Sequence, residues 1–276
     1  MLRLGRLEID CPAVMGILNV APDSFSDGGR FTGLESALRQ AEAMANEGAA
    51  IIDVGGESTR PGAIAVNAQE EIDRIGPIIE LICDRLDVPV SIDTSKPAVM
   101  RAAVAAGACM INDVLALQAD GALATAVELQ QPVCLMHMQG QPRTMQEDPR
   151  YDDVVAEVTQ FLRERVAQCR DAGLGQDLIV VDPGFGFGKT TEHNLELLGN
   201  LRQLQDIGCP VLIGVSRKST LGFITGREVS DRLPASIAAA VMAVQQGAQI
   251  IRAHDVAETV DALKVTQAII DSGNNQ

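Results

Sequence analysis

Eight short apolar runs in this sequence each finish on residues able to bind or catalyse: Asn19, Asp53, Asp93, Asn112, His137, Asp182, Ser216 with Lys218, and Arg252 with His254. Any one of them alone reads as a satisfied polar group at a strand end. Eight in succession read as a site, because acids, amides and bases then converge on one mouth. Their chemistry divides the work. Arg252 and His254 lie two residues apart, so on a strand their side chains share a face. With Asn19 they are expected to hold a diphosphate and its Mg2+. Arginine forks onto phosphate oxygens, and an asparagine amide oxygen suits a hard cation that keeps most of its waters. No His or Cys cluster has the spacing of a zinc site. Asp93, Asp182 and Asn112 supply acceptors and a donor, a set that matches a flat heterocycle edged with amino, imino and keto groups. Such a site discriminates strongly, since a wrong ligand leaves a buried carboxylate unpaired. The rival reading of Asp93, an N-cap for a helix beginning at Pro97, is weaker because Thr94 or Ser95 is better placed.

The elements that must position these residues recur in one pattern. The apolar runs are AVMGILNV (13–20), AIIDVGG (50–56), VPVSIDT (88–94), MINDV (110–114), PVCLMHM (132–138), LIVVDPG (178–184), PVLIGVS (210–216) and QIIRAHD (249–255). Most are too continuously apolar for a half-exposed sheet and suit parallel strands buried on both faces. Helical segments follow them, among them 34–48, 97–106, 152–172 and an Ala-rich, buried 235–246. Gly48 and Gly173 fit C-terminal caps, and Pro97 fits a first helical turn. Strand then helix, eight times in one uninterrupted unit spanning 1–276, predicts a single-domain (β/α)8 TIM barrel of the α/β class. A doubly wound open sheet remains the alternative. LRLG-RLEI near the start is expected to form a β-hairpin over the barrel bottom.

Composition narrows the partners. The chain has 276 residues, 46% of them hydrophobic, no Trp, and a formal net charge of −15. No basic stripe is present, so nucleic acid is not an expected partner, and an anionic substrate needs locally clustered Arg and Lys. The six cysteines form no CxxC pair and read as buried free thiols in a reducing compartment. No apolar stretch approaches the 18 residues of a membrane span and no signal-type apolar region opens the chain, so a cytoplasmic protein is expected. Two glycine-rich segments need separate treatment. DPGFGFGKTTEHN (182–194) resembles a phosphate loop, but Pro183 stands where that pattern needs Gly, and Lys189 replaces the third Gly of the dinucleotide fingerprint. APDSFSDGGRF (21–31) and GGESTRPG (55–62) read as loops suited to close over a reactive intermediate.

The blocks MGILNVAPDSFSDGGRF, IIDVGGESTRPGA, SIDTSKPAV, AGACMINDV, LMHMQGQPRTMQ, DPGFGFGKTTEHN, GVSRKSTLG and IIRAHDV resemble, in order, those of the dihydropteroate synthases. They span about residues 13 to 265, with one departure, Ala21 in place of the family's usual Thr. The resemblance implies joining (7,8-dihydropterin-6-yl)methyl diphosphate to 4-aminobenzoate, giving 7,8-dihydropteroate and diphosphate in folate biosynthesis, by a dissociative Mg-assisted substitution. It implies a catalytic and pterin-binding set of Asp93, Asn112, Asp182 and Lys218, with Asp53, Met136, Phe187 and Gly214 lining the pocket. It assigns diphosphate and Mg2+ to Asn19, Arg252 and His254. The aminobenzoate side and its lids fall to Phe25, Asp27, Thr59, Arg60, Pro61 and Ser219. It further implies a homodimer and a sulfonamide target, and no second folate-pathway domain is expected. Two rivals stand beside it: a Schiff-base aldolase using Lys218, with Arg217 lowering its pKa, and a non-catalytic pterin-binding barrel like those of corrinoid methyltransferases. The SFSDGG and STRPG blocks favour a second-substrate site, which a simple binder does not need.

Overall fold

The computed structural model describes residues 1–20, 30–57, 66–140 and 144–274. After an antiparallel hairpin, β1 (Leu2–Leu4) and β2 (Leu7–Ile9), come eight strands: β3 (Ala13–Asn19), β4 (Ile51–Gly55), β5 (Val90–Asp93), β6 (Met110–Asp113), β7 (Val133–Met136), β8 (Ile179–Asp182), β9 (Leu212–Ile213) and β10 (Ile250–Ala253). They pair in parallel in the order β8-β7-β6-β5-β4-β3-β10-β9. A parallel bridge from Val181 to Val211 joins the two ends. The sheet is therefore a barrel, and the doubly wound alternative is excluded.

Side chains alternate between the two sides of each strand, and the sequence uses that alternation strictly. Val14, Ile52, Ile92, Ile111, Leu135, Val181, Ile213 and Ile251 belong to the large core between strands and helices. Their neighbours Ala13, Met15, Ile51, Met110, Cys134, Val180, Leu212 and Ile250 form a second core inside the barrel. Leu4 and Ile9 of the hairpin join this inner core, with Leu2 and Leu7 packed against it. The hairpin thus plugs the N-terminal end of the strands, and each such buried Leu or Ile contributes about 1.5–3 kcal/mol.

The helices are α1 (Arg30–Asn46), α2 (Ala68–Arg85), α3 (Pro97–Ala105), α4 (Ala122–Leu129), α5 (Val154–Asp171), α6 (Thr191–Gly199), α7 (Ser219–Thr225), α8 (Leu233–Gln245) and α9 (Val256–Asn274). α1 begins four residues before the expected Leu34. α5 begins two residues after 152, because the Asp153 carboxylate accepts from Ala156 N–H at 2.9 Å and caps it. Gly48 and Gly173 close α1 and α5 with positive φ, as the sequence implied. At α3, neither Thr94 nor Ser95 is the cap. Lys96 holds that position with no side-chain bond, Thr94 Oγ1 accepts from Lys96 N–H at 3.3 Å, and the Ser95 hydroxyl donates to Asp113 instead. The thiols also divide: Cys134, Cys169 and Cys209 are buried, Cys11 and Cys109 half-buried, and Cys83 is exposed on α2. The expectation of six buried thiols fails there, because the solvent face of α2 tolerates a small residue. α8 buries Ser236, Ala239, Ala240 and Ala243 but exposes Met242, so it is buried on one side only.

Candidate active site

Counting by twos from the inner core leads directly to the mouth. Ile51 is followed inward by Asp53, Met110 by Asn112, Cys134 by Met136, Val180 by Asp182, Leu212 by Gly214 and Ile250 by Arg252. An apolar floor therefore carries a polar layer one step nearer the strands' C-terminal ends. The register places Asp93 beside Asn112 across β5 and β6, and Met136 beside Asp182 across β7 and β8. Asn19, Gly55 and Asp93 lie in one row across β3, β4 and β5.

Arg252 ties this layer together. Its Nε donates to Asp53 Oδ2 at 2.6 Å and an Nη donates to Asp93 Oδ2 at 2.9 Å. Asn112 Nδ2 donates to the same Asp53 oxygen at 3.0 Å. Burial works against the arginine's charge, but Asp53 and Asp93 overcome it and raise its pKa. Burial pushes the Asp93 carboxyl upward and Arg252 pulls it back. Asp182 accepts from Gly184 N–H at 2.7 Å, and burial pushes it up to about 6 against that bond and the pull of Lys218. Two buried carboxylate oxygens of this layer, Asp53 Oδ1 and Asp93 Oδ1, have no hydrogen-bond partner among the described residues, nor does Glu71 Oε1 farther out. Orphaned acceptors of this kind cost free energy unless a ligand's donors meet them.

Above this layer lies a small open pocket, about 350 Å³ when the space open to solvent at its mouth is counted. Of the residues read from the sequence as pterin contacts, Asp93, Asn112, Met136, Asp182, Phe187, Gly214 and Lys218 all line it, while Asp53 is fully buried beneath. Lys218 sits over the Phe187 ring, its Nζ 4.1 Å from the centroid, a cation–π contact that closes one wall. Val114, Gly184 and Phe185 also line the pocket and were missed. Val114 is the last residue of the MINDV run, so the run's own end was the available signal. The two glycine-loop residues carried none, because their approach depends on how the 183–189 turn folds back.

The anion corner differs from expectation. Arg252 lines the same pocket and is paired with the aspartates rather than standing apart with His254. Oppositely charged groups buried together are drawn into contact before any anion arrives. His254 Nδ1 lies 3.0 Å from Ser216 Oγ, which also accepts from His254 N–H at 3.2 Å. Asn19 is exposed at the end of β3, its Oδ1 bordering the Gly55 backbone next to Asp93. His137, grouped with the strand-end residues, points the other way. It is out of phase with Cys134 and Met136, it is buried, and its Nδ1 meets Lys189 Nζ at 2.9 Å. Ser219 opens α7 next to Lys218 and is exposed. Ala21, Phe25, Asp27, Thr59, Arg60 and Pro61 lie outside the described residues.

Behind the site is a charged cluster that the sequence did not reveal. Lys96 bridges Glu57 and the buried Glu71, and Glu57 also accepts from Val66 N–H at 3.1 Å. The aldolase alternative loses its physical basis, because Arg217 pairs with Asp255 and is not free to depress Lys218.

The pterin binding enzyme family matches residues 15–254. The dihydropteroate synthase of Escherichia coli (strain K12) is 51% identical over 270 residues, covering 98% of this chain and 96% of that relative. Among solved structures, Yersinia pestis dihydropteroate synthase in a sulfonamide drug complex aligns at TM-score 0.92 and 48% identity, covering 98% of this chain and 99% of that one. Xanthomonas albilineans dihydropteroate synthase in complex with 7,8-dihydropteroate aligns at TM-score 0.87 and 50% identity, covering 97% and 98%. These relatives are synthases, which removes the non-catalytic barrel as a reading. Likeness of this depth, running the length of a barrel whose mouth carries the matching residues, makes the chain a member of the pterin binding enzymes, on their dihydropteroate synthase branch.

Proposed function

We propose that the pocket holds a pterin-methyl diphosphate by its ring and joins its methylene carbon to the amine of 4-aminobenzoate, releasing diphosphate. The observation that carries this is the unpartnered, buried Asp93 Oδ1 in a pocket that also offers Asn112, Asp182 and Lys218. An aminopterin edge is guanidine-like and rich in N–H, so it supplies the donors that these carboxylates lack. Its keto and imine atoms accept from an amide or ammonium group. The floor thus reads both signs of the ring's hydrogen-bonding pattern.

The substitution breaks the bond from the methylene carbon to the diphosphate oxygen and forms one to the arylamine nitrogen. The departing diphosphate takes the bonding electrons, and the arylamine proton leaves for solvent or that anion. Positive charge on the methylene delocalises into the ring, where the Asp93 and Asp182 carboxylates oppose it. An arylamine is neutral and nucleophilic at pH 7, so no general base is assigned. Two of the five N–H donors of Arg252 engage the aspartates, and the rest serve the diphosphate together with His254. No group of three or more His, Cys, Asp or Glu able to hold a metal occurs among the described residues. The Asn19 amide oxygen fits a largely hydrated Mg2+ that arrives with its diphosphate. When bound there, Mg2+ would supply charge neutralisation for the leaving group.

Incubating the pure protein with Mg2+, pterin-methyl diphosphate and 4-aminobenzoate should yield dihydropteroate and equimolar diphosphate, with sulfonamides competing against the aminobenzoate. Absence of product under those conditions would sink the proposal. The reaction also has an acid limit. Asp182 must be ionised to accept from the ring, and burial holds it near 6. Burial raises Asp93 as well, to about 7, so kcat/KM for the pterin substrate should fall at least tenfold per pH unit once the pH drops well below 6. A profile flat down to pH 5 would remove Asp182 from ring recognition.

A homodimer formed through α7, α8 and α9 fits the exposed apolar side chains there. Phe223 is 77% exposed, Ile224 52%, Met242 46%, Val265 61% and Ile269 63%, a cluster unusual for solvent-facing helices. Sedimentation equilibrium should give twice the chain mass, and Phe223→Glu with Ile269→Glu should give the single mass. A monomeric parent would overturn this. Among the described residues no helix is long and apolar enough to cross a membrane. The six free thiols fit a cytoplasmic home.

A further inference from the structure

One lysine in the glycine-rich segment 182–194 takes no part in the chemistry above. Lys189 is 2% exposed. Its ammonium donates to His137 Nδ1 at 2.9 Å, to the Gly184 carbonyl at 3.0 Å and to the Phe187 carbonyl at 3.0 Å. An ammonium has three donors and no acceptor, so three converging acceptors satisfy it completely. His137 Nδ1 must then be unprotonated. Burial first, and then Lys189, push that imidazole down to about 3, so it is neutral at neutral pH and its Nδ1 is able to accept from the ammonium. Lys189 itself is pushed down to about 7 by burial while Asp182 pulls it back, so its third donor is in place just below neutrality.

What the ammonium grips is the pocket wall. Gly184 and Phe187 line the pocket, and His137 follows another lining residue, Met136. Within the turn Phe185 is buried in the core, Phe187 N–H donates to the Gly184 carbonyl at 3.0 Å and Gly186 N–H to Asn194 Oδ1 at 2.7 Å, while the glycines at 184 and 188 leave no side chain to pack at those positions. Gly184 and Gly188 have φ of 67° and 61°, and an added Cβ would come within 1.8 Å of the His137 carbonyl and 2.3 Å of the Gln139 carbonyl. On the pocket side, Gly184 N–H donates to Asp182, and the Phe187 ring lies beneath Lys218. One buried cation therefore fixes backbone atoms at both ends of the turn that sets Asp182, Phe187 and Lys218 against one another.

We propose that Lys189 is a positioning residue for the pterin ring: its buried ammonium clips the Gly184–Phe187 turn to His137 and so shapes one wall of the pocket. This explains a phosphate-loop-like lysine in a segment that departs from the phosphate-loop pattern, since all three donors are engaged internally. The proposal rests on the pterin assignment of the pocket.

The test compares Lys189→Met, which keeps the length but removes all three donors, with the parent at pH 6.5. Binding of 6-hydroxymethylpterin, followed by its own fluorescence, should weaken at least tenfold. KM for pterin-methyl diphosphate should rise in step, while KM for 4-aminobenzoate stays within twofold. Pterin affinity within twofold of the parent overturns the proposal, and so does an equal rise in both KM values, which marks a general loss of structure. If the parent itself does not bind the pterin, the pocket assignment fails and the proposal goes with it. Should Lys189→Met not fold, His137→Leu and His137→Gln decide. The glutamine amide oxygen replaces the lost acceptor, so Gln should stay within twofold of the parent and Leu should weaken pterin binding threefold or more. Equal behaviour of the two would refute the role.

Discussion

Asp93→Asn should abolish most turnover while leaving the fold intact. In the ligand-free chain one carboxylate oxygen accepts from Arg252 and the other is buried without a partner. The asparagine oxygen can keep the arginine bond. Its amide NH2 then stands where the unpartnered oxygen was, and presents a donor to the donors of the pterin ring. A mismatched, desolvated pair of this kind costs about 3–4 kcal/mol, or roughly 10²- to 10³-fold in kcat/KM for the pterin substrate. Stability should not fall with it. Burial already opposes the Asp93 charge, so a neutral isostere relieves part of that penalty. Steady-state kinetics together with a thermal melt separate the two effects. Near-normal kcat/KM in a folded variant would displace Asp93 from the ring site.

Arg252→Ala should do damage of a different kind, to both stability and catalysis. It leaves Asp53 and Asp93 buried without their shared cation, and breaking a buried pair from one side costs about 3–5 kcal/mol. The pH dependence identifies the cause. The folded-state pKa of Asp93 already lies above its ordinary value and loses its downward pull from Arg252. Over the window between the ordinary value and the folded one, the native state holds a proton that the unfolded chain has released. Stability therefore falls as pH rises through that window, and the variant's window extends higher than the parent's. The melting deficit should be largest near pH 8 and shrink toward pH 5. In activity, the variant should lose its preference for pterin diphosphate over the pterin alcohol, with kcat/KM reduced about 10²-fold or more. An unchanged preference would take Arg252 out of the diphosphate corner, whatever the melts show.

Much of the barrel was legible because its strands obey a period of two and its helices end on recognisable caps. Inner positions such as Val180 and Asp182 differ only in depth, so the polar layer could be read from the runs themselves. The same rule, applied strictly, would have turned His137 away from the mouth, since Cys134 and Met136 are the inward residues of β7. What could not be read was pairing across distance. Arg252 and Asp53 are 199 positions apart, and which carboxylate an arginine meets depends on strand stagger, which no local pattern encodes. The grip of Lys189 on Gly184 and Phe187 was hidden for a related reason, being set by how a turn folds back on itself. The Lys96 cluster also joins three separate elements. The cap of α3 failed for a local reason: the Ser95 hydroxyl found a stronger acceptor in the buried Asp113 carboxylate.

The strict alternation along the barrel strands also decides which changes in chain length this protein can survive. Deleting one residue ahead of Asp53 within β4 would move that carboxylate out among the helices and turn Val54 into the mouth. A one-residue insertion ahead of the mouth residue in β6 or β8 would exchange Asn112 for Ile111 or Asp182 for Val181. Insertions and deletions should thus be lethal to function by a single residue inside any strand, whatever the chemistry of the residue removed. In the connections that follow the helices, where no face is specified, the same change should be absorbed. Variation in length across natural relatives is therefore expected to collect in those connections and to spare the strands.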